Sequence, residues 1–289
     1  ELGLPLTLLR LGRDHEAAVV EMGMNHPGEI RRLSAICAPD IALITNIGPA
    51  HLEGLGSVDA VAAAKAEIFE HLKPGGTAVV NADDAYGQWL QSQANRQVMF
   101  FGTGAQAQVR AENIVAERGC VRFTLMLPDG RAEARLNVYW GFMVYNALAA
   151  AAVGHLLGLT AEAISAGIGT FQPVRGRMAV YETANRAYII DDTYNANPGS
   201  MEAAIRSLAA LRDRKSGILV AGDMLELGDG AADHHEHIGR IAAQSGINRL
   251  YLSGEFASRV AQGAKAAGMR GGDIFVGTKN DILKYLKAH

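Results

Sequence analysis

Glu21, His51 and Lys65 bring an acid, an imidazole and an amine to three successive segments near the start of the chain. Glu21 closes the apolar run Ala17-Ala-Val-Val20 and opens Glu21-Met-Gly-Met-Asn-His-Pro-Gly-Glu-Ile30. That run reads as a strand buried on both faces, as in the interior of a parallel sheet. Ligand crevices of open α/β sheets lie beyond the carboxyl ends of the strands. A carboxylate there either holds a hard cation such as Mg²⁺ or reaches into water. His51 sits in the loop Ile47-Gly-Pro-Ala-His-Leu-Glu-Gly-Leu-Gly56. It is either a surface residue or a ring nitrogen offered to a metal or a phosphate. Lys65 lies in Ala62-Ala-Ala-Lys-Ala66. It is a solvated lysine on an alanine-rich helix, or a neutral amine able to add carbon dioxide and hold Mg²⁺ as a carbamate. Farther along, Ile190-Asp-Asp-Thr-Tyr-Asn-Ala-Asn-Pro-Gly199 ends a strand in two acids. Asp192 is placed to accept from ribose hydroxyls. Asn195 and Asn197 serve either a ligand or the Asx turns of a βα loop leading to a helix capped by Ser200.

The elements that must position these groups follow from periodicity. Ile41 to Asn46 and Thr77 to Asn81 read as further buried strands, with a helix from Val58 to Leu72 between them, N-capped by Ser57. The acidic turn Ala82-Asp83-Asp84 follows the second. Strand, helix and strand in alternation predict a parallel sheet with right-handed crossovers. From Val98 the pattern changes. Val98–Phe101, 109–116, 121–127 and 132–138, the last two parted by Pro128-Asp-Gly130, predict an antiparallel hairpin layer. Helices are expected over 146–157 and 161–169, and Phe171 to Arg177 as a linker. A second α/β unit then alternates strands at 188–192, 217–222, 249–253 and 273–276 with helices at 200–211, 233–243 and 255–267. The fold class predicted is α/β: two doubly wound domains, residues 1–173 with an added antiparallel β layer and residues 174–289 Rossmann-like.

Composition narrows the function. The chain has 289 residues, enough for two cores, with 49% hydrophobic and 20% charged residues. A net charge of −3 gives no basic surface for nucleic acid. No apolar run approaches the ~20 residues of a membrane helix. Cys37 and Cys120 alone build neither a disulfide framework nor a zinc site, so a reduced, cytoplasmic protein is expected. No G-x-x-x-x-G-K-[ST], G-x-S-x-G or G-x-G-x-x-G after a strand occurs. The start at Glu1-Leu-Gly-Leu-Pro5, without an initiator Met, reads as a piece of a longer protein.

Several segments together resemble the ATP-dependent Mur ligases of bacterial peptidoglycan synthesis. They are Gly3 to Leu9, Glu21 to Ile30, Ala50 to Gly56, Ala64-Lys-Ala-Glu-Ile-Phe69, Asn146-Ala-Leu-Ala-Ala-Ala151, Asp191-Asp-Thr-Tyr-Asn-Ala-Asn-Pro198 and Gly222-Asp-Met-Leu-Glu-Leu-Gly228. The G-x-N-H-x-G-E-I and D-D-[ST]-Y-N-A-N-P forms are similar to the branch that joins D-alanyl-D-alanine to a UDP-N-acetylmuramoyl-tripeptide. The resemblance implies an acyl-phosphate mechanism in which ATP and two Mg²⁺ sites serve mostly positioning and charge neutralisation. It implies Glu21 and His51 as Mg²⁺ ligands, and Lys65 as the carbamylated lysine of the second site. Asn146 would meet adenine, Arg177 the phosphates and Asp192 the ribose. Tyr194, Asn195 and Asn197, with Asn25 and His26, are further substrate candidates. A monomer is expected. Three features depart from the family pattern. The family's P-loop is missing, and with it anything to replace its amides and Lys, so the chain by itself is expected to be inactive. The N-terminal UDP-gripping domain and the last C-terminal segment are missing too. Trp140, Phe142 and Met143 stand where the family usually carries G-x-H-N ahead of Asn146, which puts the nucleotide contacts of that loop in question. The alternatives are a sister amide ligase such as folylpolyglutamate synthase, or a non-catalytic nucleotide-binding module.

Overall fold

The computed structural model describes residues 2–212 and 215–288. The chain divides into two compact units, Glu1–Gln172 and Pro173–His289. The first unit is built on a six-stranded sheet. Its strands β1 (Ile41–Ile44), β2 (Thr77–Asn81), β3 (Gln97–Gly102), β4 (Val109–Glu117), β5 (Cys120–Leu127) and β6 (Gly130–Leu136) lie side by side in chain order. Pairing is parallel from β1 through β4 and antiparallel from β4 through β6. The antiparallel layer predicted from residue 98 is thus narrower than expected. Residues 98–101 belong to β3, which pairs parallel with β2, and the layer continues the main sheet. β3 follows helix α5 (Gly87–Ala94), and a helical crossover returns the chain parallel to the strand it left.

Alternate residues of the sheet feed different cores, as the period of two requires. Val79, Met99 and Phe101 pack with α6 (Met143–Leu156) and α7 (Ala161–Gly169) on one face. Ala78, Val80 and Phe100 pack with Leu90 and Ala94 of α5 and with Phe69 and Leu72 on the other. The remaining helices of this unit are α1 (Gly3–Leu8), α2 (Glu29–Cys37), α3 (Leu52–Leu55) and α4 (Val58–Ala66). Ser57 caps α4 by accepting from Ala60 N at 3.2 Å. The helix expected to reach Leu72 passes into a 3₁₀ turn at Glu67–Phe69. There Glu67 turns inward to accept from the amides of Gly28 and Arg31 at 2.8 and 3.0 Å.

One expected strand does not form. Residues 17–20 carry no strand assignment, and Val19 is 89% exposed. A strand buried on both faces is held by ladder partners and covering layers. Among the described residues β1 is the last strand on that side of the sheet, so β-branched composition alone leaves this run in water.

In the second unit β9 (Ile218–Ala221), β10 (Arg249–Leu252) and β11 (Ile274–Val276) form a parallel sheet in the order β11-β10-β9. The acidic strand β8 (Tyr188–Asp191) pairs antiparallel with β7 (Ala179–Glu182) instead of joining it. Helices α8 (Pro198–Leu211), α9 (Ala231–Gln244) and α10 (Ala257–Ala266) share one core with β9 and β10 through Ile205, Ala221, Ile238, Leu250, Leu252 and Val260. Helix α11 (Lys279–Ala288) brings Tyr285 against Tyr251 and Phe275.

Candidate functional site

In the first unit the three sequence segments that carry Glu21, His51 and Lys65 meet through one small core. Met22 and Met24 after Glu21, Leu52 and Leu55 after His51, and Val61 and Ala64 before Lys65 pack together with Ile30. The approach is close. A methyl built on Gly54 of α3 would stand 2.0 Å from the carbonyl oxygen of Asn25, so only glycine admits that backbone. His51 itself sits at the N-cap of α3 with φ 57°. Outside glycine that left-handed conformation is uncommon and costs about 1 kcal/mol. Glu21 is exposed, in a stretch without regular structure.

Lys65 is the best-defined member of the three. Its Nζ donates to the carbonyl oxygen of Asn46, just beyond β1, at 2.8 Å. Burial pushes its amine below the ordinary lysine value, against an upward pull from the Asp84 carboxylate. A half-buried lysine in that setting is nearer to its neutral, nucleophilic form than one in water. Asp84 is tied to the same loop, accepting from Ile47 N and from Tyr86 N, both at 2.8 Å. Asn81 Nδ2 donates to the carbonyl of Thr45 at 3.2 Å. The ends of β1 and β2 are therefore laced together beneath Lys65, at the carboxyl edge of the parallel strands where ligand crevices form.

Asp83, next along the acidic turn, does a different job. It accepts from Thr103 N at 2.6 Å, Thr103 Oγ1 at 2.8 Å, Gly104 N at 3.2 Å and Tyr145 Oη at 3.1 Å. It thereby clips the end of β2 to the end of β3 and to α6. These donors hold its carboxyl below the usual carboxylate range, against the upward push of burial, which is the largest single influence. A depressed folded-state value means that the stabilisation is present above the unfolded value and lost as pH falls through the folded one. We expect Asp83→Asn to cost about 1–2 kcal/mol at pH 7, discounted for solvent screening. The gap to the wild type should begin to narrow below about pH 4 and go on narrowing as the pH falls through the depressed folded-state value. Urea melts at pH 7 and pH 3.5 measure it, and a gap that widens in acid contradicts this account.

The remaining sequence candidates of this unit are placed as follows. The amides of Asn25 and His26 donate to Glu29 Oε2 at 2.6 and 3.1 Å, organising the turn into α2, and the His26 side chain is 69% exposed. Asn146 donates through Nδ2 to Met143 Sδ at 3.4 Å. Both line a cavity of about 360 Å³ between α6 and α7, otherwise walled by Leu136, Leu159, Ile164, Ile168, Phe171 and alanines and glycines. The departure at Met143 thus puts a thioether where the family pattern has an amide.

In the second unit Arg177, Asp192 and Tyr194 come together. Asp192 Oδ1 accepts from Met178 N at 3.1 Å. Burial pushes the Asp192 carboxyl up, while Met178 N–H and the Arg177 charge draw it down and Asp191 pushes it up again. The Arg177 guanidinium lies 4.0 Å over the Tyr194 ring. Asn195 Oδ1 accepts from Ala196 N at 2.9 Å. Asn197, not Ser200, is the N-cap of α8. It accepts from Ser200 N at 2.9 Å, while Ser200 Oγ accepts from Asn197 N at 3.0 Å. The capping box wins because Pro198 fits the first helical position and moves the helix start forward. Asn197 Oδ1 is accordingly spent on the helix.

Sequence reasoning missed Asn46, Asp84 and Tyr145 as partners of the site, and gave Glu67 no part. The acidic turn at 82–84 was the only signal, and no spacing rule links residues 46, 65 and 84. Among the described residues no group of three or more His, Cys, Asp or Glu could hold a metal ion, and no helix is long and apolar enough to cross a membrane.

Residues 1–154 match the Mur ligase middle domain and residues 176–288 the Mur ligase, glutamate ligase domain. The UDP-N-acetylmuramoyl-tripeptide–D-alanyl-D-alanine ligase of Escherichia coli (strain K12) is 39% identical over 259 residues, covering 88% of this chain and 56% of that one. The enzyme of the same name from Bacillus subtilis (strain 168) is 34% identical over 263 residues, covering 91% and 56%. Among solved structures, MurF from Acinetobacter baumannii aligns with TM-score 0.90 and 36% identity over 99% of this chain and 61% of its own. MurF ligase from Thermotoga maritima in complex with ADP aligns with TM-score 0.75 and 25% identity, covering 99% and 69%. The chain spans a little over half the length of the curated relatives it matches.

Proposed function

This chain belongs to the Mur ligase family, and from that premise we propose that it supplies the middle and C-terminal domains of a bacterial amide ligase. The ligase joins D-alanyl-D-alanine to UDP-N-acetylmuramoyl-tripeptide at the expense of ATP. The observation that carries this reading is Lys65, half-buried, depressed in pKa and held at the carboxyl ends of β1 and β2. The names of the curated relatives support the substrates, and the ADP complex of the Thermotoga maritima relative supports the nucleotide. Free thiols at Cys37 and Cys120 suit the reducing cytoplasm.

The residues present suit a divalent cation only with help from Lys65. Glu21 and His51 would supply two ligands, and among the described residues no three-member set of acids, imidazoles or thiols could hold a metal ion. A third ligand, an anionic one, arises if the neutral Lys65 amine adds carbon dioxide, forming an N–C bond and releasing a proton. When bound, Mg²⁺ supplies charge neutralisation and polarises phosphate oxygens. Glu21, His51 and carbamylated Lys65 would together hold the two ions, Lys65 at the second site. In this reading Asp192 accepts from the ribose, Arg177 faces the phosphates and Asn146 meets the adenine. The acceptor carboxylate takes the γ-phosphoryl group as ADP leaves. The D-alanyl-D-alanine amine then attacks the activated carbonyl, and inorganic phosphate departs.

A chimera tests the reading, with these 289 residues replacing the matching stretch of the Escherichia coli relative. Phosphate release is expected only when MgATP, the UDP-tripeptide and D-alanyl-D-alanine are all present. Glutamate serving equally well as the amine would point to a folylpolyglutamate synthase-like enzyme instead. A folded chimera that releases no phosphate under any combination would return the chain to a non-catalytic module.

A further inference from the structure

Tyr194 was a candidate substrate contact in the sequence, but the fold gives its ring an occupant from the same chain. The segment 176–178 is fastened to the segment 191–194 by three hydrogen bonds. Gly176 N donates to Asp191 Oδ2 at 3.2 Å, Tyr194 N to Gly176 O at 3.1 Å, and Met178 N to Asp192 Oδ1 at 3.1 Å. Gly176 turns the chain with φ 77°, and a methyl there would stand 3.4 Å from Tyr194 Cβ. With both backbones fixed, the Arg177 guanidinium comes to rest 4.0 Å over the centre of the Tyr194 ring. Tyr194 is itself 70% exposed, so its ring is placed by these tethers and not by a core.

A guanidinium carbon 4.0 Å over a ring centre is at face-to-face stacking distance, and the chemistry of such a contact decides what this arrangement is for. All five N–H donors of arginine lie in the guanidinium plane, whereas stacking uses its face. A ring beneath the cation therefore restrains its orientation and leaves the in-plane fork open to a planar pair of oxyanions. We propose that Tyr194 is a positioning residue: it carries the Arg177 guanidinium on its ring and so aims the arginine fork at the oxygens of a polyphosphate. This rests on the reading of Arg177 as the phosphate-facing arginine. It explains why an aromatic side chain stands exposed two residues after Asp192, where a substrate contact would not require the linker to be tied down.

The experiment follows the Arg177 Nε–Hε signal of the chain by NMR, assigned from its disappearance in Arg177→Lys, and titrates inorganic pyrophosphate. The ring current of a stacked tyrosine displaces this signal upfield. The displacement should persist in Tyr194→Phe and vanish in Tyr194→Leu. Pyrophosphate should perturb the signal with equal affinity in the wild type and Tyr194→Phe, and about two- to five-fold more weakly in Tyr194→Leu, the range of an exposed cation–π contact. An unchanged shift in Tyr194→Leu overturns the stacking, and unchanged affinity overturns the positioning while leaving Arg177 as a phosphate ligand. A clear ring-current shift with no response to pyrophosphate removes the phosphate reading of Arg177, and the proposal with it.

Discussion

Gly54→Ala is expected to destabilise the first unit by about 3 kcal/mol, the upper part of the range for overpacking. It should lower the melting temperature of the chain by about 6–12 °C. The new methyl would sit 2.0 Å from Asn25 O and 3.1 Å from Asn25 C. Backbone atoms cannot swing aside as a flexible side chain does, so α3 and the 24–26 segment must part. Parting them opens the core of Met24, Ile30, Leu55, Val61 and Ala64, which is what gathers the Glu21, His51 and Lys65 segments. In the chimera, phosphate release should therefore fall by about tenfold or more, as it does when reacting groups lose alignment. Gly48 is the control. Nothing lies within 4 Å of a methyl built there, and Gly48→Ala should change stability by less than about 0.5 kcal/mol. Thermal melts of the two variants decide the matter, and equal behaviour would mean that the close approach at Asn25 carries no weight.

His235→Ala should cost about 3–5 kcal/mol in the second unit, a large fraction of the stability of a domain that size. The His235 side chain is 1% exposed and its ring stacks on Phe256 at 4.7 Å between centroids. Nε2 accepts from Met224 N at 2.9 Å, and Nδ1 lies 2.7 Å from the carbonyl of Ala231. A backbone N–H can only donate and a carbonyl can only accept, so the two bonds select the neutral tautomer with its proton on Nδ1. The imidazole thus pins the Gly222-Asp-Met-Leu-Glu-Leu-Gly228 loop to α9. Asp223 in turn accepts from Glu255 N and Phe256 N at 2.7 and 3.0 Å. Truncation would leave a cavity and an unpaired buried N–H at Met224. Glutamine offers one acceptor and one donor at similar reach, so His235→Gln should recover about half the loss. Protection of the Met224 amide from hydrogen exchange should follow the same order. An alanine variant within about 1 kcal/mol of the wild type would show that the loop is held by something else.

The elements were legible wherever a period ran long enough against a marked end. Ser57 announced α4, Thr160 stands at the start of α7 and accepts from Ala163 N, and the alternation of strands and helices carried through the second unit. What misled was local composition read without its neighbours. Residues 17–20 are as apolar and β-branched as a core strand, yet they lie in water because no ladder holds them among the described residues. Strand direction at residues 98–101 was missed for a related reason. Side-chain alternation is the same in parallel and antiparallel strands, and only the preceding helix distinguishes them. At α8 the sequence offered Ser200 as the cap and Asn197 as a ligand or Asx-turn residue, and Pro198 at the first helical position gave the end to Asn197.

The sequence alone determined which groups are available: an acid, an imidazole and an amine in three segments, two acids and an arginine in the second unit, and motifs whose spacing belongs to one ligase family. Folding decided what each group touches. Lys65 meets Asn46 and Asp84, Arg177 lies on Tyr194, and His235 closes on Met224 and Ala231, each through contacts between residues well separated along the chain or turned in by a core. Such contacts are set by the packing of whole elements, since a side chain's pKa, its hydrogen-bond partners and the donors it leaves open depend on what the tertiary structure brings against it.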